Sequence, residues 1–200
     1  GRKIKISFSN TLEDTSLAYL HDLGFVPALQ NGLRGFKVVV GGGLGAQPML
    51  AHTAYDFLPE NQVIPFIEAV LRVFDRHGER NSRHKARMKF LIQKIGFEAF
   101  MELVQVEKKA LKNHFVEISD ATAWEVKTPE LISNIPAPTT EAYQTWFATN
   151  TFEQKQVGLH GAYVRILNGN ISSTVSRSLI QALKGYIGDD IRITINQGLL

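Results

Sequence analysis

Two lysines near the start of the chain could bind and protonate an anion. Lys3 and Lys5 are separated by one residue, so in a strand their side chains point to the same side. Two neighbouring ammonium groups can hold an oxyanion and supply protons to it. The same pair also suits an ordinary solvent-exposed strand face. The pair therefore indicates an anion site only where other cations or donors lie beside it.

A glycine cluster is the second candidate feature. The mostly apolar segment 36–40 ends at consecutive glycines, and the cluster comprises Gly41, Gly42, Gly43, Leu44 and Gly45. Glycines weaken a strand, because they lose much backbone entropy on folding and have no side chain to pack. Just after a strand they let backbone N–H groups come close to a bulky group, commonly an anion. We expect a ligand cradle here, with a tight turn that binds nothing as the alternative.

Residues 41–46 also fit the dinucleotide-binding pattern G-x-G-x-x-A after a strand. Such a domain needs a helix directly after the glycines and then a second parallel strand. Pro48 follows closely instead, and residues 63–74 have helical spacing. A dinucleotide-binding domain is therefore the weaker alternative. A parallel strand at 63–74 would support it, and a helix there would exclude it.

Four arginines follow at spacings of four, three and four residues: Arg76, Arg80, Arg83 and Arg87. In one helix they would form a stripe, although Gly78 interrupts the pattern. The planar guanidinium group suits carboxylates and phosphates. A basic nucleic-acid-binding module is a further alternative, but the stripe has no interleaved aromatic residues for base stacking. An exposed basic helix face would show the same pattern.

Composition excludes several classes of site. The 200 residues are 44% hydrophobic and 20% charged, with a net charge of +3 and no cysteine. Disulfides, cysteine-type zinc sites, thiol nucleophiles and thiolate-ligated clusters are thus excluded within these residues. The six histidines show no metal-binding spacing. No apolar run is long enough for a membrane span and no signal peptide is visible, so we predict a cytoplasmic protein.

Periodicity predicts the elements of a first unit. Residues 3–9 alternate as a half-buried strand, 10–35 are loop-like, and 36–40 form a buried strand. Pro48 is predicted to start a helix. Residues 63–74 are predicted to form a second helix, and 83–111 one or two more around Gly96.

A second unit is predicted after the irregular, proline-containing segment 115–138. It comprises a strand at 163–167, a turn at Asn168-Gly169, a helix at 173–186 and a strand at 191–195. Such a unit has too little core of its own, so it is expected to pack on the first unit or on polypeptide outside these residues.

Together these segments resemble one family, the sirohaem-dependent nitrite and sulfite reductases. The resemblance lies in residues 2–5 (RKIK), 35–45 (GFKVVVGGGLG) and 81–87 (NSRHKAR). In the second unit it lies in residues 191–197 (IRITINQ) and in Trp146, Asn150, Gln154, Gln156 and Gly158. Several motifs in the same order are more specific than any one of them, and together they cover nearly the whole chain.

The resemblance implies an α+β fold with an internal duplication. Residues 1–125 would form the α/β sirohaem-binding unit of the first repeat, and 126–145 a linker. Residues 146–200 would form the ferredoxin-like half-unit that begins the second repeat. The chain is accordingly expected to be a fragment of a longer protein, with the missing parts of its own polypeptide as partners.

The resemblance also implies roles for single residues. Lys3 and Lys5 match the basic pair that holds the anion over the distal face of the sirohaem and assists protonation as oxygen leaves. Gly41, Gly42, Gly43 and Leu44 match the turn that packs on the macrocycle, and Arg83 and Arg87 match basic positions near its carboxylates. This chemistry is consistent, because buried carboxylates need Arg, Lys or backbone N–H partners.

The family reduces sulfite to sulfide, or nitrite to ammonia, at a sirohaem bridged to a [4Fe–4S] cluster, with electrons from ferredoxin or a flavoprotein. Nitrite reductases of the plant type tend to have Asn where Lys5 stands, whereas sulfite reductases have Lys. The resemblance therefore implies an assimilatory sulfite reductase, with ferredoxin–nitrite reductase as the alternative. Neither nucleic acid nor membrane is expected as a partner.

The chain departs from the family pattern in lacking cysteine. The four cluster-ligating cysteines of the family would lie beyond Leu200, and the first, arginine-rich ferredoxin-like unit would lie before Gly1. Alone, the chain is expected to bind neither cluster nor sirohaem, and to be colourless and inactive. A Soret-type absorption band in the purified chain would contradict this prediction.

Overall fold

The computed structural model describes residues 3–119, 138–154, 157–184, 187 and 191–200. The chain forms two compact units, Gly1–Asp120 and Ala121–Leu200. Both units combine helices with strands, which confirms the α+β class. The predicted boundaries at 125 and 145 stay a prediction, because most of the segment 115–138 lies outside the described residues.

The first unit is built on a four-stranded sheet in the order β1 (Ile6–Phe8), β2 (Leu23–Gln30), β3 (Leu33–Val40), β4 (His52–Pro59). β1 is parallel to β2, and the other neighbours are antiparallel. The strand predicted at 3–9 is thus shorter than expected, and Lys3 and Lys5 lie just before it.

The prediction of a loop over 10–35 is wrong, because this segment contains β2 and the start of β3. A two-residue turn joins the strands, with Asn31 at φ 52° and Gly32 at φ 79°. Asn-Gly suits this turn, since both of its positions need positive φ. This dipeptide was the signal that could have revealed the hairpin.

The helix predicted from Pro48 is also wrong. Residues 52–59 form β4, which pairs with β3 from Val40 opposite His52 to Gly35 opposite Pro59. Pro48 lies in the loop before this strand. Pairing with β3 decides the conformation of the segment, because a strand gains its hydrogen bonds from a neighbour distant in sequence.

The helices of the first unit follow the predicted spacing. They are α1 (Val63–His77), α2 (Met88–Ile95) and α3 (Phe97–Lys109). Gly96 adopts φ 88° between the last two and separates them. The helices pack on one face of the sheet through a core that includes Phe25, Val38, Leu58, Phe66, Val73, Met88, Phe100 and Val104. Because residues 63–77 form a helix and not the parallel strand that a dinucleotide-binding domain would need here, that alternative is excluded.

The second unit contains α4 (Glu141–Asn150), the antiparallel pair β5 (Thr151–Glu153) and β6 (His160–Ala162), and α5 (Ser173–Leu183). α5 confirms the predicted helix over 173–183, and positive φ at Asn168 and Gly169 confirms the turn. The strands predicted at 163–167 and 191–195 are wrong, since both segments form only isolated bridges to Leu199. In the part of the chain that is described, no helix has the length and apolar character needed to cross a bilayer.

Candidate functional site at the sheet edge

The sheet topology brings the lysine segment and the glycine cluster to one edge. β1 and β2 are parallel, so both begin at this edge, and the antiparallel β3 ends there. Ile6 pairs with Leu23, which in turn pairs with Val40. The residues one step outside this row are Lys5, Asp22 and Gly41. Positions far apart in sequence are therefore neighbours at the sheet edge.

Asp22 joins these segments, and sequence reasoning did not find it. Its side chain is fully buried. Its Oδ2 accepts the backbone N–H of Lys5 at 2.8 Å, and its carbonyl oxygen accepts the N–H of Gly41 at 2.8 Å. Arg87 donates from Nη2 to Oδ2 at 2.6 Å and from Nε to Oδ1 at 3.3 Å. One acidic residue thus contacts three of the predicted site residues.

Lys3 and Lys5 lie exposed in the extended segment before β1. The main chain of Lys5 is held at both polar atoms, since its N–H donates to Asp22 and its carbonyl accepts the N–H of Leu23 at 3.1 Å. The structure therefore fixes the backbone of Lys5 and leaves its side chain at the surface. A cation in this arrangement can meet an anion from solvent.

The glycine cluster forms a closed turn, which we call the glycine turn (residues 41–49). Gly43 donates to the carbonyl of Met49 at 2.9 Å, and Met49 donates back at 3.0 Å. Because the N–H of Gly41 also donates to a protein carbonyl, two of the donors expected for an anion are used by the fold. Any ligand cradle here would act by close backbone packing rather than through these two N–H groups.

The outer part of the glycine turn is open. A Cβ built on Gly45 would contact nothing within 4 Å, whereas one on the buried Gly43 would meet the Lys89 and Arg87 side chains, the nearest atom at 3.5 Å. Leu44 between them is 62% exposed. The exposed Leu44 and Gly45 offer a surface on which a large planar group could pack.

Lys89 stabilises the glycine turn by donating hydrogen bonds to its carbonyl groups. Its side chain is buried, and Nζ donates to the carbonyls of Gly43 at 3.3 Å and Leu44 at 3.2 Å, and to that of Gln47. Burial lowers the pKa of Lys89, and the nearby Arg87 charge lowers it further, while Asp22 acts in the opposite direction. Sequence reasoning missed this residue, because a lysine in a basic segment shows no sign of burial.

The four arginines do not form one stripe, because α1 ends at His77 and Gly78 is extended. Arg76 pairs with the nearly buried Glu107, and Arg80 donates to the carbonyls of Phe74 and Asp75 at the helix end. Arg83 is exposed in the turn Arg83–Lys85. The break at Gly78 removes the continuous basic face on which the nucleic-acid alternative depended.

A cleft of about 610 Å³ borders the glycine turn at Gln47. Its lining comes from the end of α1, the segment 78–85 and α2. It includes the basic residues His77, Arg80, Lys85 and Lys94, against the single acidic residue Glu79. The cleft extends the positive surface around the site, and Lys94 was not singled out from the sequence.

Comparison with known proteins finds similarity to sulfite and nitrite reductases. Residues 1–112 match the family described as the nitrite and sulphite reductase 4Fe-4S domain. The sulfite reductase [NADPH] hemoprotein beta-component of Shewanella woodyi is 37% identical over 117 residues, covering 54% of this chain and 20% of that protein. The ferredoxin–nitrite reductase of Synechococcus elongatus is 27% identical over 204 residues, covering 100% of this chain and 35% of that protein.

A solved structure, that of the Mycobacterium tuberculosis NirA protein, is similar with a TM-score of 0.65 and 26% identity. The match covers 92% of this chain and 30% of NirA. The chain thus spans about a fifth to a third of the length of the relatives it matches. A family match over more than half of the chain confirms the resemblance seen in the sequence: the chain belongs to the nitrite and sulphite reductase 4Fe-4S domain family.

Proposed function

We propose that this chain forms part of a sulfite reductase that reduces sulfite to sulfide, in which Lys3 and Lys5 bind the anion. The observation that supports this most is the attachment of the Lys5 main chain, through Asp22, to the sheet edge where the glycine turn begins. A cation fixed beside an open backbone surface can hold an anion against a group that packs on that surface.

The residues present fit sirohaem, which is flat and bears many carboxylates. The exposed cations Lys3, Lys5 and Arg83 suit its acidic substituents, and the open backbone at Gly45 with the exposed Leu44 suits its face. The sirohaem, when bound, would supply the iron at which the anion is reduced. Without cysteine, these 200 residues supply no thiolate for a [4Fe–4S] cluster, so its ligands would come from other polypeptide.

In this proposal the protein side chains attract the anion and move protons. The Lys3 and Lys5 ammonium groups neutralise the charge of sulfite and donate protons to its oxygens, because an oxygen leaves as water only after protonation. Arg83 holds a carboxylate of the macrocycle. The electrons come from ferredoxin or a flavoprotein, and the enzyme acts in the cytoplasm.

Nitrite is the second candidate substrate. Two relatives that cover nearly the whole chain are ferredoxin–nitrite reductases, from Synechococcus elongatus at 100% of the chain and rice at 91%. The sulfite reductase relatives are more identical but cover about half of it. Lysine at position 5 favours sulfite, since a second cation suits a dianion with more oxygen to remove.

Substitution of Lys5 in the reductase that carries this chain tests the proposal. Lys5→Asn should lower kcat/KM for sulfite by about 10²-fold or more, the usual effect of losing a proton donor, and lower that for nitrite less. Lys109→Asn, an exposed lysine at the end of α3, is the matched control. Unchanged sulfite reduction in Lys5→Asn would overturn the role of this residue. A larger loss for nitrite would identify nitrite as the substrate.

A further inference from the structure

Asp22 is a buried carboxylate, and its burial costs free energy that other contacts must offset. A fully buried carboxylate loses its hydration, which costs several kcal/mol unless a cation and hydrogen-bond donors replace the water. The structure supplies both, through the Arg87 guanidinium and the Lys5 N–H. The charge of Asp22 is therefore balanced entirely by residues of the candidate site.

The contacts of Asp22 connect four segments of the first unit. The segment before β1 is held at Lys5 and the start of the glycine turn at Gly41, while Asp22 itself immediately precedes β2. Arg87, the residue immediately before α2, brings in the fourth segment. These segments carry the predicted anion-binding and cofactor-packing residues. A displacement of Asp22 would thus change the position of the lysine relative to the glycine turn.

Arg87 differs from Arg83 in this respect. Its side chain is 24% exposed and contacts Asp22 through two nitrogens, whereas Arg83 is exposed at the surface. A guanidinium group engaged in this way has less capacity to bind a carboxylate of another molecule. The geometry assigns Arg87 to the neutralisation of Asp22 and leaves Arg83 as the arginine available to a ligand.

We propose that Asp22 is a positioning residue for anion binding, which fixes the main chain of Lys5 against the glycine turn, with Arg87 as its counter-ion. This inference rests on the role proposed above for Lys5. Asp22 contacts no substrate in this scheme. Its carboxylate acts through the hydrogen bond that fixes the Lys5 main chain, whereas the bond to Gly41 comes from the main-chain carbonyl of Asp22 and is kept in side-chain variants. Loss of the carboxylate should therefore alter the geometry of anion binding rather than remove a reacting group.

The first test measures the attachment directly, by amide hydrogen exchange of this chain. Asp22→Asn replaces a charged acceptor with a neutral one, so the Lys5 N–H should exchange about tenfold faster. Asp14→Asn is the matched control, since Asp14 accepts hydrogen bonds from Ser9 and Ala18 and does not contact Lys5. Equal Lys5 exchange in the Asp22 and Asp14 variants would overturn the inference.

A double variant keeps the inference testable if a single variant of Asp22 fails to fold. Asp22→Leu combined with Arg87→Met removes both charges together, which proteins often tolerate better than an unpaired buried charge. The core amide of Val104 should stay protected in this variant, while Lys5 exchanges faster. Retained protection of Lys5 without Asp22 would show that the strand ladder alone fixes the lysine, and would overturn the inference.

The second test uses the reductase that carries the chain. Asp22→Asn should raise the KM for sulfite by about tenfold or more at an unchanged sirohaem content, because a small misplacement of a binding group weakens the site. If Lys5→Met raises KM but Asp22→Asn does not, the inference falls and the function proposed for Lys5 stands. If Lys5→Met has no effect, the proposed function fails, whereas exchange at Lys5 still reports whether Asp22 holds it.

Discussion

A Cβ on Gly42 would lie 2.2 Å from the backbone carbonyl oxygen of Tyr19, although the neighbouring Gly43 has room for one. The glycine turn is therefore tight on its inner side, where it packs on the segment before β2, and open on its outer side. Gly42 serves the fold, and Gly43 is buried beside the Lys89 and Arg87 side chains, so the surface proposed for the macrocycle begins at the exposed Leu44.

Substitution of these two glycines tests which of them is tightly packed in the fold. Gly42→Ala should destabilise the chain by about 1–3 kcal/mol or more, because a backbone carbonyl cannot move aside easily. Gly43→Ala should change the free energy of unfolding by less than about 1 kcal/mol, since its Cβ would make an ordinary van der Waals contact, at 3.5 Å from the Lys89 side chain. Urea denaturation of both variants measures the difference. Equal stability of the two variants would contradict the assignment of Gly42 to the tightly packed inner side of the glycine turn.

The Asn31-Gly32 hairpin turn gives a second test of the fold. Gly32 adopts φ 79° and its Cβ would contact nothing within 4 Å, so Gly32→Ala isolates the backbone strain. We expect a loss of about 1–2 kcal/mol, the cost of a left-handed alanine. Asn31→Gly is the control and should stay close to the wild type. Wild-type stability of Gly32→Ala in thermal denaturation would show that the turn relaxes.

Lys89 should make the stability of the chain depend on alkaline pH. Its pKa is lowered in the fold, so between that value and the ordinary 10.5 the unfolded chain binds more protons. Stability therefore rises with pH in this window. The difference in unfolding free energy between the wild type and Lys89→Met should grow in the wild type's favour there, whereas a constant difference would contradict the lowered pKa.

The same variant tests the support of the glycine turn. At neutral pH, Lys89→Met should cost about 1–3 kcal/mol, because the turn carbonyls lose a charged donor. The exposed Lys94 lies on the same helix, and Lys94→Met should have little effect. An unchanged stability of Lys89→Met would mean that the turn holds itself through the pairing of Gly43 with Met49.

Glu79 should contribute to stability in acid. Its Oε1 accepts the backbone N–H groups of Ser82 and Asn81, and these bonds, that of Ser82 first, lower its pKa below the ordinary 4.5. The stabilisation is complete above 4.5 and is lost as pH falls through the lower, folded value. Urea midpoints from neutral pH into acid should fall more for the wild type than for Glu79→Gln. Glu13→Gln, an exposed glutamate in the loop before β2, should behave as the wild type does.

The sequence allowed prediction of those elements whose signal is local. Helical spacing at Val63, Phe66 and Val70 predicted α1, and the mostly apolar segment 36–40 predicted the core of β3. β2 was missed because Gly24 and Pro27 are residues that usually break strands. β4 was missed because Pro48 suggested a helix start. Both strands are stabilised by pairing with β3, which no local pattern reports.

The candidate site was predictable only where residue type alone carried the signal. The exposed Lys5 and the consecutive glycines stood out, and their roles stay predictions. Asp22 could not be found, because its partners Lys5 and Arg87 lie 17 and 65 residues away in sequence. Lys89 similarly contacts carbonyls more than forty residues earlier. Such buried polar contacts depend on which strands meet at an edge, and therefore on the whole fold.

The attachment of Lys5 through its main chain has a consequence for how the activity could diversify. Every amino acid except proline carries the N–H that Asp22 accepts, so the side chain at position 5 can be exchanged without loosening the strand. The charge, size and polarity of residue 5 can therefore change while the hydrogen bond that holds its main chain stays the same. Relatives with different preferences for their anion could then arise by single substitutions here, and an engineer could vary the same residue without redesigning the scaffold.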